Sequence, residues 1–187
     1  IFDVAVSRSG PDVLCISWKT KRKNLQISIY HGTTPETIQR KIPVKFIKGQ
    51  TAVIISKLDP KVPHYFKVVP EAGAAIIVGE RRLPLQKSVN ARDIGGYETA
   101  DGHRVKWGKV FRSDHLARLS SDDIAFLKQL KIQTVFDFRT LAEVRSRPDR
   151  FPTDDHGSYV HLPVNHLKFE PALLFEKLKN GDAEWLT

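Results

Sequence analysis

The stretch Asn90-Ala91-Arg92-Asp93-Ile94-Gly95-Gly96-Tyr97 is the part of this sequence that says most about its fold. Further motifs follow it in a set order: Asp101-Gly102, Val105-Lys106-Trp107-Gly108, Val110-Phe111-Arg112-Ser113, Thr134-Val135-Phe136-Asp137-Phe138-Arg139, and Glu143 with Arg147-Pro148-Asp149. Each motif alone is short and weakly informative. Together, in this order and at this spacing, the motifs form a specific pattern.

Helical and strand patterns alternate from residue 120 onward. Ser120-Ser121-Asp122-Asp123 predicts a helix N-terminus, with Ser120 as the N-cap and an acid three residues later. Residues 134–138 and 159–164 are rich in β-branched and aromatic side chains and predict strands. A second helical turn is expected from residue 141, and a final helix over residues 171–181.

This alternation predicts an α/β layer with a parallel sheet. Ligands in such sheets bind beyond the carboxyl ends of the strands. Asp137 and Arg139 lie at one predicted strand end, and Asn165 and His166 follow the next. We therefore expect the chemistry of the chain at this edge of the sheet.

Residues 1–84 show a different pattern, in which short strands are separated by turn residues. Leu25-Gln26-Ile27-Ser28-Ile29 alternates with period two, as a half-buried strand does. The other predicted strands cover residues 4–6, 13–18, 52–55, 65–69 and 74–78. Short strands without a convincing helix predict an all-β sandwich over residues 1–84, followed by the α/β domain over residues 85–187.

The motifs between residues 90 and 149 resemble the opening half of a bacterial tyrosine phosphatase family. That family has an Asn-x-Arg-Asp-Leu-Gly-Gly start and an Asp-x-Arg strand end. The resemblance covers most of residues 88–164 and implies an α/β domain of the cysteine-phosphatase type. It also implies hydrolysis of phosphotyrosine in proteins, with phosphoserine/threonine or phosphoinositides as side substrates. The reaction would proceed through a cysteinyl-phosphate intermediate with no metal and no cofactor.

The same resemblance implies roles for six residues. Asp137 would be the catalytic residue, as general acid or as organiser of the phosphate loop, and the side chains near the phosphate would be Asn90, Arg92, Asp93, Arg112 and Arg139. Structural roles compete with these: Asp93 as the cap of a turn, Arg112 as a partner in salt bridges between loops, and Asp137 in a buried ion pair with Arg139 or another arginine.

The catalytic loop of that family, His-Cys-x-x-Gly-x-x-Arg, does not occur in these 187 residues. The single cysteine, Cys15, has the apolar neighbours of a buried strand, and we expect a small, unreactive core residue. The sequence contains no methionine, and an α/β domain that ends after two or three strands leaves apolar surface unpaired. The expectation is an incomplete phosphatase domain that is inactive by itself.

The predicted sandwich resembles a fibronectin type III domain. Trp18 lies on the second predicted strand, where such domains bury a tryptophan, and Leu58 and Pro60 precede the strand at residue 65 as in the tyrosine corner of that family. His64 stands where the corner tyrosine is usual. The resemblance implies binding or spacing for this part of the chain.

The net charge of +9 is unevenly distributed. Residues 1–85 carry 14 Lys and Arg against 6 Asp and Glu, and the remaining residues carry 16 against 15. An anionic partner for the first part is one interpretation, and a solvated hairpin loop around Lys21-Arg22-Lys23 is the other. Aromatic side chains do not interleave with this basic run, which argues against specific nucleic-acid binding.

Other functional classes are partly excluded by composition. No apolar run approaches the roughly 18 residues of a membrane span, and His161 and His166 lack neighbouring ligands at metal-site spacing. Two alternatives to an enzyme remain open: a non-catalytic module that binds phosphate or phosphoproteins, and a β-sandwich scaffold in which the second part is only structural.

Overall fold

The computed structural model describes residues 1–38, 43–151 and 158–164. Seven strands form the first part: β1 (Phe2–Gly10), β2 (Val13–Lys19), β3 (Gln26–Gly32), β4 (Lys45–Lys48), β5 (Ala52–Ile55), β6 (Tyr65–Pro70) and β7 (Ile76–Gly79). The second part contains β8 (Arg92–Asp93), β9 (Phe111–Arg112), α1 (Ser121–Gln129), β10 (Thr134–Asp137), α2 (Leu141–Ser146) and β11 (Ser158–His161).

The first part is a sandwich of two antiparallel sheets, with strand orders β1-β2-β5 and β4-β3-β6-β7. Alternate side chains of β3 point inward at Ile27 and Ile29, as its period-two pattern predicted, and β2 alternates in the same way. The two inner faces share one core, which includes Leu14, Ile16, Trp18, Ile27, Ile29, Phe66 and Val68. Trp18 is buried on the second strand, as predicted.

Two details of the sandwich differ from the predictions. Strand β4 was not predicted, because only Ile47 of its four residues is buried and its two lysines hide the pattern. Cys15 was predicted in the core, and this was wrong. Leu14 and Ile16 point inward, so Cys15 between them faces the opposite side of the sheet and is half-exposed. Because Cys15 is not buried, burial gives no reason to expect an unreactive thiol.

The basic run around residue 22 lies in the connection between β2 and β3. Lys21, Arg22 and Lys23 are exposed there. The connection passes from one sheet to the other and so is not the hairpin loop that was predicted. Its cations are solvated, and Lys19 pairs with Asp3 at 2.9 Å.

His64 makes the hydrogen bond that a corner tyrosine makes in comparable sandwiches. Its Nε2–H donates to the carbonyl oxygen of Asp59, five residues upstream, at 2.8 Å, and the side chain is buried. Because Nε2 carries the proton, Nδ1 is free to accept the Nε2–H of His31 at 2.9 Å. His64 is therefore neutral in this arrangement, because its Nδ1 must accept.

The second part is assembled around its first helix. Ser120 caps α1 and forms a capping box with Asp123, which confirms the predicted helix start. The buried carboxylate of Asp123 also accepts the backbone N–H groups of Gln86 and Lys87, at 2.7 and 3.2 Å. These contacts tie the chain that leaves the sandwich to the helix, beside a core that contains Leu83, Leu85, Leu116, Leu119, Phe126 and Leu127.

Strands β10 and β11 pair in parallel, as the alternation of helix and strand predicted. Large apolar side chains remain exposed on this pair and just beyond it, including Phe136, Phe138, Tyr159 and Leu162. The predicted helix over residues 171–181, with Asn165 and His166, lies outside the described residues. Neither helix of the described ranges is long and apolar enough to cross a membrane.

The His31–His64 pair makes the stability of the sandwich depend on pH. Burial lowers the pKa of both imidazoles from the ordinary value of 6.5, and the neighbouring His64 adds to the lowering at His31. Below that value the unfolded chain binds protons that the folded chain does not. The free energy of unfolding should therefore fall as the pH falls from about 7 to about 5.

Thermal unfolding followed by circular dichroism across this pH range checks this prediction. His31→Gln keeps an N–H donor for His64 but removes one titrating group, so the melting temperature should depend less steeply on pH. The matched control is His103→Gln, since His103 is 81% exposed and paired only with Asp101. An unchanged slope in His31→Gln would contradict the assignment.

Candidate functional site

Asp137 lies at the carboxyl end of β10, where the sequence predicted the chemistry. Its buried carboxylate accepts the backbone N–H of Arg139 at 2.9 Å and the Arg139 Nε–H at 3.0 Å. The second oxygen accepts Arg139 Nη2 at 2.6 Å and the hydroxyl of Tyr159 on β11. The two-residue spacing brings Arg139 to Asp137, and the pairing of β10 with β11 brings Tyr159 to the same strand end.

All three nitrogens of the Arg139 guanidinium contact neighbouring groups. Nη2 also pairs with Asp149 at 2.9 Å, and Nη1 donates to the carbonyl oxygen of Arg147 at 2.8 Å. The guanidinium thus lies between two carboxylates, with 19% of the side chain exposed. Because the guanidinium is already paired with the carboxylates of Asp137 and Asp149, a phosphate would have to compete with them to bind Arg139.

The protonation of Asp137 follows from these contacts. The hydrogen bonds from Arg139, with that from Tyr159, hold the pKa of the Asp137 carboxyl well below its usual range. A carboxyl group that stays ionised has no proton to give at neutral pH. In this arrangement Asp137 can orient Arg139 and the following turn, and it is poorly suited to act as a general acid.

Contacts around Asp149 fix this strand end to the rest of the second part. Its carboxylate accepts the backbone N–H of Leu116 at 2.8 Å, and Arg150 donates to the carbonyl oxygen of Leu119 at 2.8 Å. His161 Nε2 donates to the carbonyl oxygen of Arg139 at 2.8 Å. The turn that follows β10 is therefore held from both sides.

Asp93 occupies a different position, at the junction of the sandwich and the second part. It is only 1% exposed. One oxygen accepts the Gly95 N–H at 2.7 Å, and the other accepts the Gly108 N–H at 2.8 Å and the Tyr65 hydroxyl at 3.3 Å. Burial raises the pKa of this carboxyl. Asp93 points inward and shapes the glycine turn.

Arg81 and Trp107 complete this turn, and the sequence did not point to Arg81. The Arg81 guanidinium donates to the carbonyl oxygens of Asp93 and Gly95, both at 2.9 Å. It lies 4.2 Å from the ring centre of Tyr97 and 4.8 Å from that of Trp107. A Cβ at Gly95 would meet Trp107 at 2.5 Å, so only glycine allows this packing.

The remaining predicted residues lie on the opposite face of the same small sheet. Arg92 on β8 is directly opposite Arg112 on β9, and the bridge on its other side pairs Arg92 with Arg82. Residues on opposed positions of adjacent strands point to the same face. We call Arg82, Arg92 and Arg112 the arginine row.

Asn90 sets the position of the middle arginine. Its side-chain oxygen accepts a hydrogen bond from Arg92 Nη2, and its carbonyl oxygen accepts Arg92 Nε at 3.3 Å. Arg92 is half-buried, whereas Arg82 and Arg112 are exposed. Within the described residues no carboxylate pairs with any arginine of the row. The salt bridges proposed as a structural role for Arg112 are therefore not seen there.

The six predicted residues thus fall into two groups and one exception. Asp137 and Arg139 lie together at the end of β10. Arg92 on β8 lies opposite Arg112 on β9, and Asn90 precedes β8 and contacts Arg92. Asp93 faces the interior between Tyr65 and Gly108. Between the two groups no hydrogen bond or ion pair occurs in the described ranges.

Sequence reasoning missed Tyr159 and Arg82. Tyr159 could not be linked to Asp137 before the register of β10 and β11 was known, and Arg82 could not be linked to Arg92 before their bridge was known. Among the described residues no group of three or more His, Cys, Asp or Glu side chains is placed to hold a metal ion.

Comparisons with known proteins find a phosphatase family. Residues 83–185 match the tyrosine phosphatase family. A protein of Cupriavidus necator, named as a tyrosine-protein phosphatase, is 42% identical over 98 residues, which are 52% of this chain and 35% of that protein. The chain therefore spans about a third of the length of this curated relative.

The first part has a weaker likeness among solved structures. The fn3 domain of human collagen alpha-1(XX) chain aligns with 41% of this chain and 77% of its own length, at 16% identity and a TM-score of 0.32. A likeness of this size does not establish the fibronectin type III assignment, which stays a prediction, as does the boundary at residue 84.

Asp93→Asn tests the buried carboxylate at the junction. The substitution replaces one acceptor oxygen with an NH2 group that faces an N–H donor, so a hydrogen bond is lost and a donor is left unsatisfied. We expect the free energy of unfolding to fall by about 1–3 kcal/mol in urea denaturation. The control is Asp101→Asn, whose side chain is 71% exposed and which should change stability by less than about 0.5 kcal/mol. Equal effects in the two variants would contradict a special role for Asp93.

Proposed function

Because the chain belongs to the tyrosine phosphatase family, we propose that residues 83–185 supply the supporting half of a cysteine-dependent phosphatase site. The match over these residues carries the proposal, since all six predicted site residues lie within it. The proposed substrate is a phosphotyrosine protein, with phosphoinositides as a further substrate class. The reaction proceeds through a cysteinyl-phosphate intermediate and uses no metal.

The arginine row supports the recognition step of this proposal. Arg92 and Arg112 are opposite each other, without a carboxylate partner in the described residues, and a guanidinium fork matches two phosphate oxygens. Asn90 holds Arg92 in position before substrate arrives, which reduces the entropy lost on binding. In the proposed role, Arg92 and Arg112 bind the phosphate oxygens and Asn90 orients Arg92.

Asp137 and Arg139 have an organising role in this proposal. Their mutual hydrogen bonds, with those of Asp149 and Tyr159, hold the turn after β10 in one conformation. The lowered pKa of Asp137 favours this role over proton donation to the leaving phenolate. Asp137 is therefore proposed as a positioning residue, and the general acid is a group other than this carboxyl.

The nucleophile of the proposed reaction is a thiolate in a loop of backbone N–H groups that bind the phosphate. Its sulfur attacks phosphorus, and the P–O bond to the tyrosyl oxygen breaks as that oxygen takes a proton from the general acid. Water then hydrolyses the cysteinyl phosphate to inorganic phosphate and the free thiolate. Cys15 does not fit this role, since it lies in the middle of β2 and not at a helix N-terminus. The 187 residues contain no other cysteine.

One observation favours a second candidate function. The anion-binding arginines are present in this chain while the cysteine loop is not. A non-catalytic module that binds phosphorylated partners would need only the arginines and not the cysteine loop. The exposed lysines and arginine around residue 22 give a further proposed contact for an anionic partner of the sandwich.

Binding of phenyl phosphate to the 187-residue chain, measured by calorimetry, tests the recognition step. Arg92→Ala and Arg112→Ala should each weaken binding by about tenfold, since a charge-assisted hydrogen bond contributes about 1.5–3 kcal/mol. Arg118→Ala, which removes an exposed arginine outside the row, should leave the affinity unchanged. Equal losses in all three variants would indicate a general charge effect and contradict the proposed site.

The intact mass of the natural protein, together with its turnover, separates the two candidate functions. The 187-residue chain should not hydrolyse p-nitrophenyl phosphate. We would measure the intact mass of the natural protein, and a mass above 21.2 kDa with His-Cys-x-x-Gly-x-x-Arg in the additional sequence supports the phosphatase. Cys→Ser in that loop should then abolish hydrolysis. A mass of 21.2 kDa together with phenyl phosphate binding would support the binding module.

A further inference from the structure

The arginine row contains one residue that the phosphatase motifs do not include. Arg82 precedes the matched residues 83–185, yet its bridge to Arg92 places it on the same face as Arg92 and Arg112. Backbone hydrogen bonds from Leu83 to Ala91 at 3.0 Å and from Asp93 to Arg81 at 2.8 Å fix this register on both sides of the bridge.

Three like charges in a row are unfavourable without a counter-charge. Directly opposed residues on neighbouring strands have Cβ atoms about 4.5–5.5 Å apart, and like charges at this distance repel. The Cβ atoms of the three arginines therefore span roughly 10 Å along the row. An extended anion that lies along it would remove the repulsion and gain charge-assisted hydrogen bonds.

The acids within two residues of the row along the chain do not neutralise it. Asp93 points inward to Tyr65 and the glycine turn, and Glu80 pairs with Arg8. Asp114 follows Arg112 by two residues, and its carboxylate accepts a hydrogen bond from the hydroxyl of Ser88. It forms no ion pair with Arg112 in the described residues. On the opposite face of the same strands, Arg81 is satisfied by two carbonyl oxygens and two aromatic rings. The face that carries Arg82, Arg92 and Arg112 is thus the one left without counter-charge in the described ranges.

The length of the row indicates what kind of anion fits it. One phosphate group can be reached by two neighbouring guanidinium groups, such as Arg92 and Arg112, and the third would then face water. A second phosphate next to the first would reach Arg82. Because Arg82 and Arg92 are separated by one strand spacing, the two phosphates need to be neighbours in the ligand.

We propose that Arg82, Arg92 and Arg112 bind an anion that carries two neighbouring phosphate groups, with Arg82 contacting the second one. This rests on the proposed function in so far as Arg92 and Arg112 bind the first phosphate. Arg82 is then the residue that distinguishes a doubly phosphorylated ligand from a singly phosphorylated one.

Calorimetric titration of the 187-residue chain with inorganic pyrophosphate and with orthophosphate tests the proposal at one fixed ionic strength. Pyrophosphate should bind at least about tenfold more tightly, since each added charge-assisted contact contributes that much or more. Arg82→Ala should reduce pyrophosphate affinity to the orthophosphate level and leave orthophosphate binding unchanged. Arg82→Lys should restore only part of the loss, since lysine keeps the charge but not the fork.

Arg118→Ala is the matched control, because it removes one exposed arginine from the same part of the chain but not from the row. It should leave both affinities unchanged. Equal affinity for pyrophosphate and orthophosphate, or no effect of Arg82→Ala, would overturn the proposal. The proposed phosphatase function fails separately, through absent phenyl phosphate binding, so the two failures are distinguishable.

The source of the two phosphates is decided by a second measurement. Sedimentation of the chain with phosphatidylcholine vesicles, with and without a bisphosphorylated inositol lipid, tests a membrane headgroup. Binding only to the bisphosphorylated vesicles, lost in Arg82→Ala, supports the row and identifies a headgroup. Pyrophosphate binding without vesicle binding supports the row and identifies a soluble ligand. No binding in either measurement overturns the proposal.

Discussion

The buried carboxylate of Asp93 is the constraint on which the rest of the structure depends. It joins three segments that are far apart in the chain: Tyr65 on the sandwich strand β6, the glycine turn at Gly95, and the backbone of Gly108. Two neutral amides and a phenol satisfy its oxygens in place of water, so the cost of burying the charge is offset by hydrogen bonds. Without this carboxylate, the N–H groups of both glycines would lose their acceptor.

The position of Asp93 also determines the face of the arginine row. Successive side chains of a strand point to opposite sides, so an inward Asp93 requires an outward Arg92. The same rule sets Phe111 inward, toward the core of the second part, and Arg112 outward. The buried anchor and the exposed cations are therefore two consequences of one strand register.

Asp93 and Asp137 show how surroundings give the same side chain opposite properties. Burial dominates at Asp93 and raises the pKa of its carboxyl, whereas the Arg139 guanidinium dominates at Asp137 and lowers it. Both are used to hold backbone in place: Asp93 holds the glycine turn, and Asp137 holds the turn after β10. The group that remains open to an external anion is the arginine row, whose charges are not met by carboxylates in the described residues.

Local patterns in the sequence were sufficient for several elements. Period-two alternation predicted the strand around Ile27, and Ser120 with Asp123 predicted the start of α1, because both depend on residues close together in the chain. The pattern failed at Cys15 and at β4. An apolar run does not say which of its residues point inward, and the two lysines of β4 hid a strand with a single buried residue.

The sequence by itself determined the strand-rich first part and the helix and strand alternation of the second. It also identified the charged residues Arg92, Asp93 and Asp137. Only the tertiary structure decided what each charge does. The register of β8 with its neighbours brought Arg82 to Arg92 and Arg112, and that of β11 brought Tyr159 to Asp137. The reason is physical: partners separated by many residues meet only after strands pair, and the free energy of a charge depends on those partners.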